Sequence, residues 1–132
     1  ADGIGGDNLV SNWTPSTDTW YHVAVAWKAS TSTAQFTVNG VQQGSDAVGA
    51  VTSLYNSDDV FQIGAINAAA AASPLVGKVD DPRVYNVTRT VTQINSDYNQ
   101  ELVGNESGLV AYWPFETSLG KVTAVDDFAY IL

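Results

Sequence analysis

Apolar residues in this chain occur in short alternating runs that end at turn signals, a pattern typical of all-β proteins. The clearest run is the segment WYHVAVAW at residues 20–27. Its large apolar side chains alternate with smaller ones, which indicates a strand with a period of two residues. We therefore expect one face of this strand to pack into the core through Tyr21, Val23, Val25 and Trp27.

A second run, at residues 33–38, alternates as cleanly and leads into the turn signal Asn-Gly at 39–40. These two residue types readily adopt the positive φ angles of a type I′ turn, so we expect a hairpin that returns along residues 41–44. The polar residues of the run should face solvent, so we expect Gln35→Asp to be tolerated. By contrast, Val23→Asp in the first run would bury a charge and should abolish folding. The inward phase is Ala34, Phe36 and Val38.

Further apolar runs predict strands at residues 60–64, 75–85 and 108–115. In the second of these the apolar phase shifts across Asp80 and Asp81, and a proline follows that cannot donate to a neighbouring strand. A β-bulge or an edge position there accounts for both features.

The segment from Thr90 to Leu102 is the candidate helix. Thr90 and Gln93 have the spacing of a capping box. Ile94, Tyr98 and Leu102 recur on one helical face. We therefore predict one short helix near residues 91–101.

Several of these segments together resemble a known family. They are WYHVAVAW, QFTVNG at 35–40, FQIG at 61–64 and GKVDDPRVYN at 77–86, followed by Ile94 and Tyr98. In this order they are similar to laminin-G-like and pentraxin-like domains of the concanavalin A type. The resemblance implies an all-β fold, an antiparallel jelly-roll β-sandwich with one short helix. It does not define the function, because such sandwiches include lectins, adhesins, enzymes and structural modules.

The order of the segments departs from that family at both ends. Residues 108–115, with Asp126 after them, resemble the family's opening strand, yet here they come last. We therefore expect residues 1–104 to be the late portion of one sandwich. Residues 105–132 would carry the opening strand of a second domain, or of a permuted or complemented one. Three interpretations stay open: a piece of a tandem array, a circular permutation, or a strand contributed to a neighbouring copy.

Charge and composition limit the classes of partner. The chain has 14 acidic and 5 basic residues, so it lacks the clustered Lys and Arg that bind nucleic acids. The sequence also predicts no membrane insertion, because no apolar stretch is long enough. The low charge content favours a secreted or cell-surface protein. Three N-glycosylation signals agree with that location, at Asn12, Asn86 and Asn105.

The candidate metal ligands are Asp80, Asp81 and Asp126. The family resemblance implies a structural calcium that joins the opening strand to the strand at residues 75–85, and these aspartates occupy the matching positions. Calcium binds carboxylate and backbone carbonyl oxygens, which a bulge at residues 80–81 could turn toward a common point. The alternative is a solvated acidic strand end in which Arg83 is an ion-pair partner.

Neither His22 nor the glutamates form a catalytic constellation. His22, the single histidine, lies inside an apolar run without a nucleophile or carboxylate at motif spacing, so we interpret it as a core or sheet-face residue. The glutamates lack the alternating strand pattern that places two carboxylates around a glycosidic bond. We therefore predict that the chain is not an enzyme. These glutamates are Glu101, Glu106 and Glu116.

Aromatic residues in turn-rich segments are candidates for carbohydrate binding. Trp13 and Tyr55 could each stack on the face of a sugar, or could instead anchor their loops by burial. Trp20, Trp27 and Trp113 have the strand phase of core residues.

Two functions follow from these features. The first is a non-catalytic extracellular structural or adhesive module, completed by strands from copies of itself or from adjacent domains. The alternative is an autonomous calcium-dependent lectin-like domain with glycans as partners.

Overall fold

The computed structural model describes residues 13–49, 53, 63–64 and 75–115. The described strands are β1 (Val23–Lys28), β2 (Thr33–Val38), β3 (Val41–Gln42), β4 (Ala47–Val48), β5 (Arg83–Tyr85) and β6 (Leu109–Tyr112). Helix α1 (Val91–Asp97) lies between the last two, and a single 3-10 turn (Ala29–Thr31) joins β1 to β2. Strands β1 to β4 form one antiparallel sheet, and β5 pairs with β6 in another. The prediction of an all-β antiparallel fold with one short helix is confirmed.

The hairpin of β1 and β2 is in continuous register from Val23 opposite Val38 to Lys28 opposite Thr33. The predicted Asn-Gly turn follows β2, with φ of 48° at Asn39 and 74° at Gly40. Strand β3 then pairs back onto β2. The hairpin and its turn are therefore as expected, although β1 begins at Val23 and not at Trp20.

The two faces of this hairpin differ from the prediction. Val23 is 49% exposed and Val25 is 60% exposed, whereas Ala26 is 9% exposed and Thr37 is fully buried. The expectation that Val23 and Val25 are core residues is therefore wrong, as is the expectation that Thr37 faces solvent. Because directly opposed residues share a face, Thr37 lies on the side of the alanines of β1.

Two contacts bring α1 and the segment before it close to this hairpin. The hydroxyl of Thr88 donates a hydrogen bond of 2.8 Å to the carbonyl of Trp27. A Cβ on Gly40 would lie 2.8 Å from the Cα of Asn95 in α1. Bulky side chains at such points would keep α1 and the segment before it away from the sheet.

The buried apolar residues come from both sheets and from the helix. Among the described residues, the core consists of Ala26, Val38, Ile94, Leu109 and Tyr112. Ile94 is the buried residue of α1, as its position in the apolar repeat predicts.

Helix α1 begins as predicted and ends earlier than predicted. The hydroxyl of Thr90 accepts from the N–H of Gln93, and the side chain of Gln93 accepts from the N–H of Thr90. The helix ends at Asp97, where the guanidinium of Arg83 donates to the carbonyls of Asp97 and Gln100. These side-chain bonds satisfy carbonyls that a longer helix would bond internally.

The run at residues 75–85 forms a much shorter strand than predicted. Only Arg83–Tyr85 is extended and paired, and the register shifts between Val84 and Tyr85. Asp81 has a φ of 52°, which interrupts the extended backbone where the apolar phase shifts.

Strand β6 pairs with β5 of its own chain. This pairing joins residues on either side of position 104, where the sequence suggested a boundary. The division into residues 1–104 and 105–132, and the choice among its three interpretations, stay predictions. Asp126 and the other residues after 115 lie outside the described part of the chain.

Candidate functional site

A polar groove of about 380 Å³ lies on the alanine side of the first hairpin. Ala26 lies opposite Gln35 and Lys28 lies opposite Thr33, so the strand pairing places all four side chains on one face. Asp46 and residues 88–91 complete the lining. The groove is thus built by two strands, the turn after β3 and the start of α1.

A hydrogen-bonded network of two amides and a carboxylate borders the groove, and two of its members, Gln35 and Asp46, line it. The Nε2 of Gln35 donates to Oδ1 of Asp46 at 3.1 Å, and the Nε2 of Gln42 donates to the same oxygen at 2.8 Å. Gln35 also donates to the amide oxygen of Gln42 at 3.2 Å. These bonds hold three polar side chains in place before any ligand arrives.

Two basic side chains also line the groove, and their surroundings differ. Arg89 forms an ion pair with Asp97 and lies 4.7 Å from the ring centre of Tyr85. Lys28 is exposed, and its ammonium has no hydrogen bond or ion pair with any residue that the structure describes. Lys28 is therefore the groove cation that a ligand can reach.

A second polar cluster joins β5, β6 and the end of α1. The hydroxyl of Tyr112 donates to Asp81 at 2.7 Å, and a guanidinium nitrogen of Arg83 lies 3.6 Å from the same carboxylate. Burial, followed by the hydrogen bond to Asp81, raises the pKa of Tyr112 to about 12. The side chain of Arg83 is only 8% exposed. This cluster holds the helix against the second sheet.

The predicted calcium ligands are only partly described. Asp80 is exposed, and its Oδ1 accepts from the N–H of Asp81. The carboxylate of Asp81 is already engaged by Tyr112 and Arg83. Within the described ranges, no three His, Cys, Asp or Glu side chains lie close enough to hold a metal. These residues do not make a calcium site by themselves, and the prediction depends on Asp126.

His22 lies at the start of β1 beside the turn after β2. Its N–H donates to the side-chain oxygen of Asn39, and its carbonyl accepts from the N–H of Asn39. The ring lies 5.9 Å from that of Tyr98, and Nδ1 is buried without a hydrogen-bond partner. Burial lowers the pKa of His22, and the nearby positive charge of Arg83 lowers it further. The surroundings match the interpretation of a packed histidine.

Trp13, one of the two aromatic residues predicted to bind carbohydrate, is half-buried. Its ring lies edge-on to Tyr21 at 4.9 Å and 6.2 Å from Phe36. Tyr55, the other candidate, lies outside the described residues. Trp20, predicted to be a core residue, is instead 62% exposed, because β1 begins three residues after it.

Two of the three glycosylation signals lie in described segments. Asn86 and Asn105 are both exposed. The carboxylate of Glu106, next to Asn105, accepts from the N–H groups of Val103 and Gly104 and so fixes the turn before β6. Asn12 lies outside the described part of the chain.

Sequence reasoning missed the groove residues. Lys28, Gln35 and Asp46 carry no motif, and Gln35 was expected only to face solvent. The available signal was the placement of Lys28, Thr33 and Gln35 on one face of the predicted hairpin. Residues 88–91 join the groove only when the chain folds, so the pattern of the hairpin alone does not predict their contribution.

Comparisons with known proteins agree with this fold. The sequence profile of the Laminin_G_3 family, described as the concanavalin A-like lectin/glucanases superfamily, matches residues 1–95. The match covers well over half of the chain. The chain therefore belongs to this family, as the resemblance of its motifs predicted. Among curated proteins, none matches the chain.

One solved structure is similar over most of the chain. It is a protein from Bacteroides ovatus ATCC 8483 that carries the provisional name of a carbohydrate-binding protein. The two share 27% sequence identity with a TM-score of 0.74, over 86% of this chain. The chain spans only 33% of the length of that protein.

In the described part of the chain, no helix is long and apolar enough to cross a membrane.

Proposed function

We propose that this chain is a non-catalytic carbohydrate-binding domain of a larger extracellular protein. The observation that carries the proposal is the hydrogen bond between Gln35 and Asp46 in the lining of the groove, which Gln42 supports from beside it. Sugar hydroxyls donate and accept hydrogen bonds at once, and fixed amide and carboxylate groups match both roles. The family and the similarity to the Bacteroides protein support the same ligand class.

The position of the acidic groups supports binding without hydrolysis. Asp46 is the one carboxylate among the described groove residues, and two amides already donate to it. Glu106 is used in a backbone turn. A glycosidase of the usual kind needs two carboxyl groups on either side of the scissile bond.

Affinity electrophoresis against a panel of soluble polysaccharides tests this proposal. At least one polysaccharide should retard the chain, and Gln35→Ala should lose most of that retardation. Gln43→Ala is the matched control, because Gln43 bonds the carbonyl of Val41 outside the groove. Equal thermal stability of the two variants would exclude a folding effect. Retardation by no polysaccharide, or undiminished binding by Gln35→Ala, would overturn the proposal.

A second candidate function is adhesion through strand contribution between copies or adjacent domains. Among the described strands, β1 pairs only with β2, and at its other edge the carbonyl of Trp27 accepts from the hydroxyl of Thr88. No described strand pairs with the rest of that edge, where a further strand would be added. Strand addition at such an edge supplies main-chain hydrogen bonds. This candidate predicts that the chain forms oligomers whose mass rises with concentration in light scattering. A monodisperse monomer at high concentration would contradict it.

A further inference from the structure

We infer that the groove binds an anionic sugar, with the carboxylate or sulfate group of the ligand at Lys28. The inference rests on the proposed function and adds the chemical class of the ligand. It begins from the distribution of charge. The chain has 14 acidic residues and only 5 basic ones, and two of the basic residues line this groove. Because Arg89 is paired with Asp97, the exposed ammonium of Lys28 is the point in this groove that an anion can approach.

Lys28 supplies the positive charge that a ligand can reach in this groove. The guanidinium of Arg89 is neutralised by Asp97, and its side chain is only 15% exposed. The ammonium of Lys28 has no such counter-charge in the described part of the chain. A neutral sugar that covered this ammonium would remove water from it without replacing the lost interaction. An anionic substituent replaces that interaction with a charge-assisted hydrogen bond.

The opposite side of the groove fits the rest of such a ligand. Asp46 accepts two amide hydrogen bonds through Oδ1, and neither of those bonds uses Oδ2. A carboxylate accepts readily from hydroxyl groups, which sugars carry on adjacent carbons. A sugar with an acidic group and free hydroxyls therefore offers a hydrogen-bond partner to each of these two lining residues, Lys28 and Asp46.

The test compares polymers that share a backbone and differ in charge. Polygalacturonate is paired with its methyl ester, alginate with its propylene glycol ester, and carrageenan with chemically desulfated carrageenan. Binding is measured by calorimetry with the full chain at low and high salt. The first two pairs report on carboxylate and the third on sulfate. Lys28→Met is the test variant, and Lys78→Met is the control, because Lys78 is exposed and lies outside the groove.

We expect the charged member of at least one pair to bind more tightly, and salt to weaken that binding. Lys28→Met should lower its affinity about tenfold, which corresponds to about 1.4 kcal/mol, while Lys78→Met leaves it unchanged. Equal binding of charged and neutral members would overturn this inference and leave the proposed function standing. If no polymer binds, here or in the wider panel, both fail.

Discussion

His22 links the packing of β1 to pH. Burial lowers the pKa of His22, the positive charge of Arg83 on β5 lowers it further, and the carboxylate of Asp81 opposes these effects only in part. The ring also lies against Tyr98 at the end of α1. Since Nδ1 is buried without a partner, protonation places a charge where nothing accepts its hydrogen bond.

The lowered pKa of His22 predicts a loss of stability in mild acid. Below the unfolded value of 6.5 the unfolded chain binds a proton that the folded chain resists. The free energy of unfolding should therefore fall as the pH drops below that value, and level off below the lowered pKa of the folded state. Urea denaturation of wild type and His22→Gln at several pH values between 5 and 8 measures this. The same pH slope in both proteins would contradict it.

The hydroxyl of Tyr112 should also contribute measurably. Tyr112→Phe removes the donor to Asp81, and we expect a loss of about 1 kcal/mol, since the half-exposed carboxylate can rehydrate. Tyr85→Phe is the control, because the Tyr85 hydroxyl has no hydrogen bond with a described residue. The raised pKa of Tyr112 adds a pH effect: its contribution is complete below pH 10 and is lost as the pH rises toward 12. Equal denaturation midpoints for the two variants would refute the role of Tyr112.

At the scale of elements, the contact between the turn after β2 and helix α1 depends on a glycine. A Cβ at Gly40 would lie 2.8 Å from the Cα of Asn95 and 2.9 Å from Cδ1 of Tyr98. Gly44 has nearly the same φ, 75° against 74°, but nothing within 4 Å of its Cβ position. The two positions therefore separate backbone strain from steric contact.

Gly40→Ala should destabilise the protein by at least about 1 kcal/mol more than Gly44→Ala does. Both variants have the cost of a side chain at positive φ, about 1 kcal/mol. Only Gly40→Ala must also push α1 away from the turn. Thermal denaturation of the two variants measures the difference. Equal losses would show that α1 does not pack against this turn.

The sequence predicted those elements whose causes are local. The capping box at Thr90 and the Asn-Gly turn at residues 39–40 are encoded within a few residues, and both are present. The faces of β1 were assigned wrongly, because periodicity identifies two faces and does not say which of them other elements cover. Size suggested the valines, whereas residues 88–91 lie over the alanine side, where they line the groove with Ala26.

The candidate site was predictable to a smaller extent. The groove combines Lys28 and Gln35 with Asp46 and residues 88–91, which are far apart in the sequence. No spacing rule connects them, because the contact between the helix start and the hairpin is made only in the folded chain. The acidic positions that the sequence did single out include Asp81, which instead bonds Tyr112 and Arg83.

At the scale of the whole molecule, calcium binding remains a prediction from Asp80, Asp81 and Asp126. A ligand that binds only the folded state raises its stability. We therefore predict that calcium raises the melting temperature of chelator-treated protein, and that Asp126→Asn removes the increase. Asp18→Asn is a control distant in sequence from these positions. An unchanged melting curve with calcium and with chelator would remove the prediction.

The proposed sugar-binding surface is the alanine face of the first hairpin. Its opposite face, with the exposed Val23 and Val25, is then not part of the site. The most direct measurement is a two-dimensional ¹H–¹⁵N spectrum of the labelled chain during titration with an oligosaccharide of the best-binding polymer. The account predicts that the shifted amides cluster at Lys28, Gln35, Asp46 and residues 88–91. Shifts centred on Val23 and Val25, or no shifts with any oligosaccharide tested, would contradict it.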